Sequence, residues 1–449
     1  MTAAYPLSRH AAAEPLACGP GGVITAGQFH EDVQRLAAAL PPGRHVVNTC
    51  HDRYLFMVGF GACLATGRIT LMPSSFTPAT LRQIRERYPD VICLHDGGQR
   101  ADGLPEWRMA PIGPRQPARD VSVPAIAGDQ VAAVVFTSGS TGEPTAHAKH
   151  WGRLCANAAS EAERLNAGGL TIAATVPAQH MYGFESSVLL ALHGGASVWR
   201  QRPFYPADVA AAIQAMPRRR MLVTTPFHLA AVVDAGMQMP PCDLVLCATA
   251  PLSTALAHRA EAVFDCPLVE IYGCTESGQV ASRRTTASAA WQLLPGLGMA
   301  LQDGSAWVFG DHVEGRVPLS DHIDDLNGDC FTLGERHADM VNIAGKRTSL
   351  AALNVHLRSI EGVADGCFLL PPEDGAADAG GVCRLAALVV APGVEAVQIV
   401  KALRQRIDPA FLPRPLLKID ALPRNATGKV LATEVAALYR ALRSPDSHL

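Results

Sequence analysis

Apolar residues recur at helical spacing at Phe29, Val33, Leu36 and Leu40, which predicts an amphipathic helix over residues 28–40. Pro41-Pro42-Gly43 closes it, and 45–49 reads as a strand. The rhythm then repeats, with a helical stretch over 54–65, a strand at 69–72, a helix over 78–87 and a strand at 91–94. Residues 96–129 lose their period and gain Gly and Pro, the pattern of a surface connection. Order resumes at the apolar run 131–136, and further strands are predicted at 171–176, 196–199, 221–225, 244–248 and 268–272, interleaved with helices such as 206–216 and 254–264. Such alternation predicts an α/β fold, with mostly parallel sheets and helices on their faces. Sites in sheets of this kind gather at the carboxyl ends of strands.

Beyond about Arg336 a smaller pattern starts: a strand at 340–343, a helix over 350–360, strands at 367–370 and 386–390, and helices over 394–407 and 430–442. The acidic, Gly-containing stretch 371–381 reads as an exposed loop. We therefore expect two domains, a large N-terminal one over 1–337 and a small α+β lid over 338–449. No internal repeat and no heptad run is visible.

Composition removes several alternatives. The 449 residues are 48% hydrophobic and 18% charged, which suits a folded chain with a large core and not a disordered one. A net charge of -3, with Arg218-Arg219-Arg220 as the densest basic run, gives no reason to expect nucleic acid as a partner. The 12 cysteines are scattered without Cys-x-x-Cys spacing, so reduced thiols are expected in place of zinc or a disulfide framework. Neither an apolar leader nor an apolar run of membrane-spanning length is seen, so the expected setting is cytoplasmic, without membrane insertion.

The densest chemistry follows the strand at 131–136. Thr137, Ser138, Gly139, Ser140, Thr141 and Gly142 crowd hydroxyls and unhindered amides into one turn, which suits a polyphosphate. No Lys follows Gly142, so this is not the Gly-x-x-x-x-Gly-Lys loop of kinases and GTPases. A short Gly/Ser/Thr connection without function is the bland alternative.

Four further segments decide between them. Tyr272-Gly273-Cys274-Thr275-Glu276, Asp321, Arg336 with Gly345-Lys346-Arg347, and Pro423 to Lys429 stand in an order that resembles the adenylate-forming superfamily of acyl-CoA synthetases, peptide-synthetase adenylation domains and luciferases. The resemblance runs from Thr25 to Leu442. It implies a mobile C-terminal lid and a reaction in which ATP and an organic acid give an acyl-adenylate, later captured by a thiol. It also implies roles. Glu276 would hold Mg²⁺, Thr275 would lie near the α-phosphate, and Lys429 would neutralise charge during adenylation. The turn 137–142 would cradle the phosphates. Tyr272, Gly273, Ala250 and Pro251 would lie on adenine, and Asp321 with Arg336 on the ribose, although Asp324, Asp325 and Asp329 are rival acids. His180-Met181-Tyr182-Gly183 would line the acid pocket with Phe227 and Cys247. Ala338 and Asp339 fall at the hinge, and Gly345 at the thiol tunnel.

Two departures from the family pattern stand out. Thr145 occupies the place of the phosphate-loop lysine, which leaves two readings open: Lys149 reaches the β- or γ-phosphate, or hydroxyls and amides suffice. Asn342 replaces a hinge-side lysine. The segment Glu143 to Trp151 is similar to stand-alone ligases of aryl-polyene or xanthomonadin-type pigment synthases. That implies an aromatic acid such as a hydroxybenzoate or hydroxycinnamate, with coenzyme A or the phosphopantetheine of an acyl carrier protein as acceptor. A short or medium fatty acid is the alternative acid. A nucleotide-binding relative without catalysis and an oxidising luciferase-like relative are the rival functions.

Overall fold

Two units make up the chain in the computed structural model, which describes residues 3–73, 75–98, 100–101, 103–109, 122–137, 145–302, 305–336, 340–343, 346–371, 384–425 and 428–443. The larger unit comprises Met1–Gln302, Trp307–Pro318 and Leu326–Phe331. The smaller comprises Asp303–Ala306, Leu319–Asp325 and Thr332–Leu449.

The larger unit holds two sheets. In the first, the strand Val131–Thr137 lies beside Ile69–Met72, followed by His45–Asn48, Ile92–His95 and Glu106–Arg108, all parallel. The strand Thr145–His150 folds back against Val131–Thr137 as the antiparallel edge. In the second, a parallel run goes from Leu268–Cys274 through Leu244–Cys247, Arg220–Thr224, Thr171–Ala174 and Ser197–Trp199 to Pro15–Gly19. Beyond Leu268–Cys274 the pairing turns antiparallel, through Gly278–Arg283 and Trp291–Leu293 to Cys330 and Phe331. The parallel strands carry continuous buried runs, as strands covered on both faces must.

The helices cover those faces. Ala26–Ala39 starts at Thr25, whose hydroxyl accepts from the Gln28 amide while the Gln28 side chain returns to the Thr25 amide, a capping box. Arg53–Ala65 is buried almost throughout, and its Phe56 and Phe60 meet Phe184 edge-on at 6.3 and 5.0 Å. Trp151–Leu165, absent from the periodicity reading, packs Trp151, Leu154, Cys155 and Ala158 into the same core. Phe184–Leu189 is wound as a π-turn, a form frequent at functional sites.

In the smaller unit, Asp365–Leu369, Ala386–Val390 and Leu416–Lys418 form a sheet covered by the helices Leu350–Arg358, Ala396–Leu403 and Ala432–Arg443. A hairpin of Met340–Ile343 and Lys346–Ser349 precedes them. The α/β architecture is the one the alternation predicts. The differences include the polar strand Thr145–His150, the unforeseen helix after it, the antiparallel extension beyond residue 278, the strand Pro15–Gly19, and the strand Glu106–Arg108 inside the stretch read as a surface connection.

Candidate active site

Parallel strands deliver their carboxyl ends to one edge of a sheet, and there the larger unit gathers its chemistry. Thr137 ends the strand that leads into the hydroxyl-rich turn. Ser138, Gly139, Ser140, Thr141 and Gly142 lie outside the described residues, as do Ala338, Asp339 and Gly345. Thr137 Oγ1 lies 3.0 Å from His147 Nε2. The same imidazole nitrogen stands 3.5 Å from Glu276 Oε1. Burial lowers the His147 pKa, Glu276 opposes that, and Lys149 adds to it.

Thr275, Glu276 and Ser277 form the tip of a hairpin between Leu268–Cys274 and Gly278–Arg283. A bulge falls at Tyr272/Gly273, and a Cβ on Gly273 would lie 2.3 Å from the Gly278 carbonyl oxygen. Cys274 Sγ and Ser277 Oγ, 3.1 Å apart, close the turn from below. Ser277 is buried, whereas the Glu276 side chain is 43% exposed. The turn therefore presents its carboxylate outward on a constrained base. The Tyr272 ring packs against Trp291 at 5.6 Å and Phe331 at 6.0 Å.

Lys149 is only 7% exposed, and its Nζ donates to the Glu276 carbonyl oxygen at 3.0 Å. Burial lowers its pKa, and the Glu185 carboxyl is the strongest charge acting the other way. Glu185, on the π-turn, is raised well above the carboxylate range by its own burial. Glu161, from the helix Trp151–Leu165, is pushed up to about 7 for the same reason, with Ser186 and Gln279 opposing. Gln279 Nε2 donates to Ser186 Oγ at 2.8 Å, and the Gln279 carbonyl oxygen lies 2.7 Å from His312 Nε2. Neither Glu185 nor Glu161 was singled out by sequence reasoning, and His147 stood there only as part of the segment Glu143 to Trp151.

At the neighbouring strand end, the Leu244–Cys247 strand leads to Thr249, Ala250 and Pro251. Thr249 adopts φ +82°, a left-handed conformation that costs a β-branched residue energy and marks a constrained turn. Ala250 and Pro251 are exposed beyond it. The turn is tied down from below: Leu252 N–H donates to Glu270 Oε1 at 3.3 Å, and Arg283 Nη2 lies 2.7 Å from Glu270 Oε2.

The expected acid-pocket residues are divided in exposure. Tyr182 is buried, its hydroxyl donating to the Leu246 carbonyl at 3.0 Å. Cys247 is fully buried, and burial holds its thiol well above the usual range. Gly183 is buried where a Cβ would fall 2.1 Å from the Pro177 carbonyl oxygen, so only glycine lets the chain turn there. His180 caps the short helix that follows and is half-buried. Phe227 is 46% exposed and meets His228 at 5.5 Å.

In the smaller unit, Asp321 opens the strand Asp321–Asn327 and Arg336 ends the strand Cys330–Arg336. Lys429 is exposed on a tight bend. Asn425 N–H donates to the Lys429 carbonyl at 3.0 Å, and Asn425 Oδ1 accepts from the Lys429 amide at 2.9 Å. Arg424 bonds both the Gly428 carbonyl and the Asp365 carboxylate, fastening the bend to the sheet.

Strand ends thus bring a hydroxyl, an imidazole, a carboxylate and an ammonium to one turn of an α/β protein, beside a constrained second turn. The chain belongs to the AMP-binding enzyme family, whose profile matches residues 3–321. It is 34% identical over 175 residues to a 4-coumarate–CoA ligase of Rhodobacter capsulatus, covering 38% of this chain and 44% of that protein. It is 26% identical over 475 residues to p-hydroxybenzoic acid–AMP ligase FadD22 of Mycobacterium marinum, covering 91% of this chain and 64% of that one. The chain thus matches less than two thirds of the length of either relative. ATP-bound MatB of Rhodopseudomonas palustris has the same fold, with TM-score 0.77 at 18% identity over 96% of this chain and 97% of that one. So does o-succinylbenzoate CoA synthetase (MenE) of Bacillus subtilis in complex with its acyl-adenylate intermediate, with TM-score 0.77 at 18% identity over 94% and 95%. Among the described residues, no helix is long and apolar enough to cross a membrane.

Proposed function

We propose that this protein is an acid–thiol ligase that activates an aromatic carboxylic acid with ATP and passes the acyl group to a pantetheine thiol. In the first half-reaction the acid's carboxylate oxygen attacks the α-phosphorus, a P–O bond forms, and the bond to pyrophosphate breaks. In the second, a thiol loses its proton to solvent and attacks the acyl carbon, a thioester forms, and AMP leaves with the electron pair of the broken C–O bond. AMP is a far better leaving group than hydroxide, which is the reason for the detour.

The observation that carries this reading is the convergence of Thr137 and Glu276 on His147, at the end of the strand leading into the hydroxyl-rich turn. Magnesium keeps waters and phosphate oxygens and needs only one or two carboxylates, so the outward carboxylate of Glu276 fits it. When bound, the ion offsets charge on the triphosphate. Thr137 and the turn 138–142 supply donors to the phosphates, and Thr275 lies beside the α-phosphate. Ala250, Pro251, Tyr272 and Gly273 bound the adenine, with Asp321 and Arg336 on the ribose. Lys429 acts in adenylation alone, and the lid beginning at the hinge Ala338–Asp339 then brings Gly345 to the thiol.

The names of the relatives, a 4-coumarate–CoA ligase and a p-hydroxybenzoic acid–AMP ligase, favour a hydroxycinnamate or hydroxybenzoate. An acyl carrier protein is our choice of acceptor, with an aryl-polyene-type synthase as the setting. A pyrophosphate-exchange screen over benzoates, cinnamates and fatty acids tests the first half. Exchange with an aromatic acid is the expected result, exchange with fatty acids alone would reassign the pocket, and no exchange with any acid would refute the reading. Thioester formation on a phosphopantetheinylated carrier, compared with coenzyme A, decides the acceptor.

A further inference from the structure

His147 and Lys149 stand two apart on the edge strand Thr145–His150, so their side chains leave the same face. Both reach the residue Glu276, the first at its carboxylate and the second at its main-chain carbonyl. An ammonium buried to this degree must recover by hydrogen bonding what it loses from water. The Glu276 carbonyl provides that hydrogen bond. Glu185 reaches the same hairpin because residue 278 is glycine. A Cβ at Gly278, where φ is +76°, would lie 2.9 Å from Glu185 Oε1 and 3.4 Å from Asn157 Nδ2. Glu185 therefore touches the hairpin just past its turn, while Lys149 holds the turn itself.

We propose that Lys149 is a positioning residue that fixes the Thr275–Ser277 turn and so aims the Glu276 carboxylate at the magnesium of the bound nucleotide. This rests on the function proposed above, and it gives Lys149 a task other than direct contact with the β- or γ-phosphate. A lysine that touched phosphate would strengthen nucleotide binding with or without magnesium. A lysine that aims a metal-holding carboxylate strengthens it only when magnesium is present.

The test is calorimetric titration with α,β-methylene ATP, in excess magnesium and again in EDTA. Lys149→Met should weaken binding at least tenfold in magnesium and less than twofold in EDTA, and Lys149→Arg, which keeps a cationic donor, should recover part of the magnesium-dependent loss. Equal losses in both buffers, or wild-type affinity in Lys149→Met, would overturn the proposal. Should Lys149→Met fail to fold, Lys149→Gln, which keeps a donor of shorter reach, decides by the same comparison. No acid or thiol takes part, so the proposal can fail while the wild-type enzyme still exchanges pyrophosphate. Conversely, a magnesium-selective loss in a protein that exchanges with no acid would refute the ligase reading alone.

Discussion

Thr137 and His147 hydrogen-bond at 3.0 Å across an antiparallel pair whose register sets His147 opposite Val135, two residues before Thr137. Diagonal neighbours on one face of such a pair are close enough for long side chains to meet. The imidazole thus spans from the strand Val131–Thr137 to the Glu276 turn. His147→Ala should lower pyrophosphate exchange about tenfold, the scale of one lost hydrogen bond of about 1 to 1.5 kcal/mol. Thermal stability should change little, since the site is half-open. His147→Gln, which keeps a donor near the Nε2 position, should restore most of the rate. Equal rates in the alanine variant and the wild type would show that the contact is incidental.

Glu270 is the anchor beneath both candidate nucleotide turns. It accepts from Leu252 N–H, just past Ala250–Pro251, and it pairs with Arg283 and Thr285, while the Arg283 guanidinium lies 4.4 Å from the Trp291 ring centroid. Removing one partner of a buried pair strands the other charge, at a cost of about 3 to 5 kcal/mol. Arg283→Met should therefore lower the urea midpoint markedly and weaken nucleotide binding as the turns loosen. Glu270→Gln, which leaves a neutral amide opposite Arg283, should be milder. If Arg283→Met unfolds at the wild-type midpoint, the pair contributes nothing.

Much of this architecture is legible in the chain and some is not, for physical reasons. The parallel strands announce themselves because burial on both faces demands continuous apolar runs, as at Leu244–Cys247. The edge strand Thr145–His150 does not, because its pattern is Ala alternating with His and Lys. There the alternating face carries polar groups, and a hydrophobic template passes over it. The approach of Glu185 to Gly278 depends on a π-turn, which has no periodic signature in sequence. Tyr182 is legible as part of a motif, yet its hydroxyl's commitment to the Leu246 carbonyl depends on strand placement. Motif reading thus found the turn that carries Glu276 but not what holds it.

In the smaller unit, Asp365 accepts from Arg424 and also lies 3.3 Å from Arg358 Nε, so one carboxylate fastens the bend that carries Lys429. Lys429→Ala should abolish pyrophosphate exchange and leave thiolation of preformed acyl-adenylate largely intact. Asp365→Ala should reduce exchange less, by about tenfold if the loss matches that of one charged hydrogen bond. It too should spare thiolation. Equal loss of both half-reactions in Lys429→Ala would remove the residue from its adenylation role.

Buried ionisable groups in the larger unit give stability two opposed pH limbs. His30, His193 and His228 are lowered to about 4 by burial, whereas the unfolded chain binds those protons near 6.5. Between those values the unfolded state holds more protons, so stability is present above about 6.5 and falls as the pH drops toward 4. Glu161 has the opposite sign. Burial raises it from 4.5 to about 7, the folded state holds the extra proton, and stability falls as the pH rises between those values. Glu185, raised in the same direction, and Lys149 share the surroundings of Glu161, so the neutral acid is the form this core accommodates. Glu161→Gln mimics that form and should raise the urea midpoint at pH 8, an added stability of up to about 3 kcal/mol on a shift of this size. At about pH 4, below both values, the variant and the wild type should unfold together. His193→Gln should flatten the acid limb without touching the alkaline one. A Glu161→Gln protein no more stable than wild type at pH 8 would mean that this carboxyl ionises in the core without penalty.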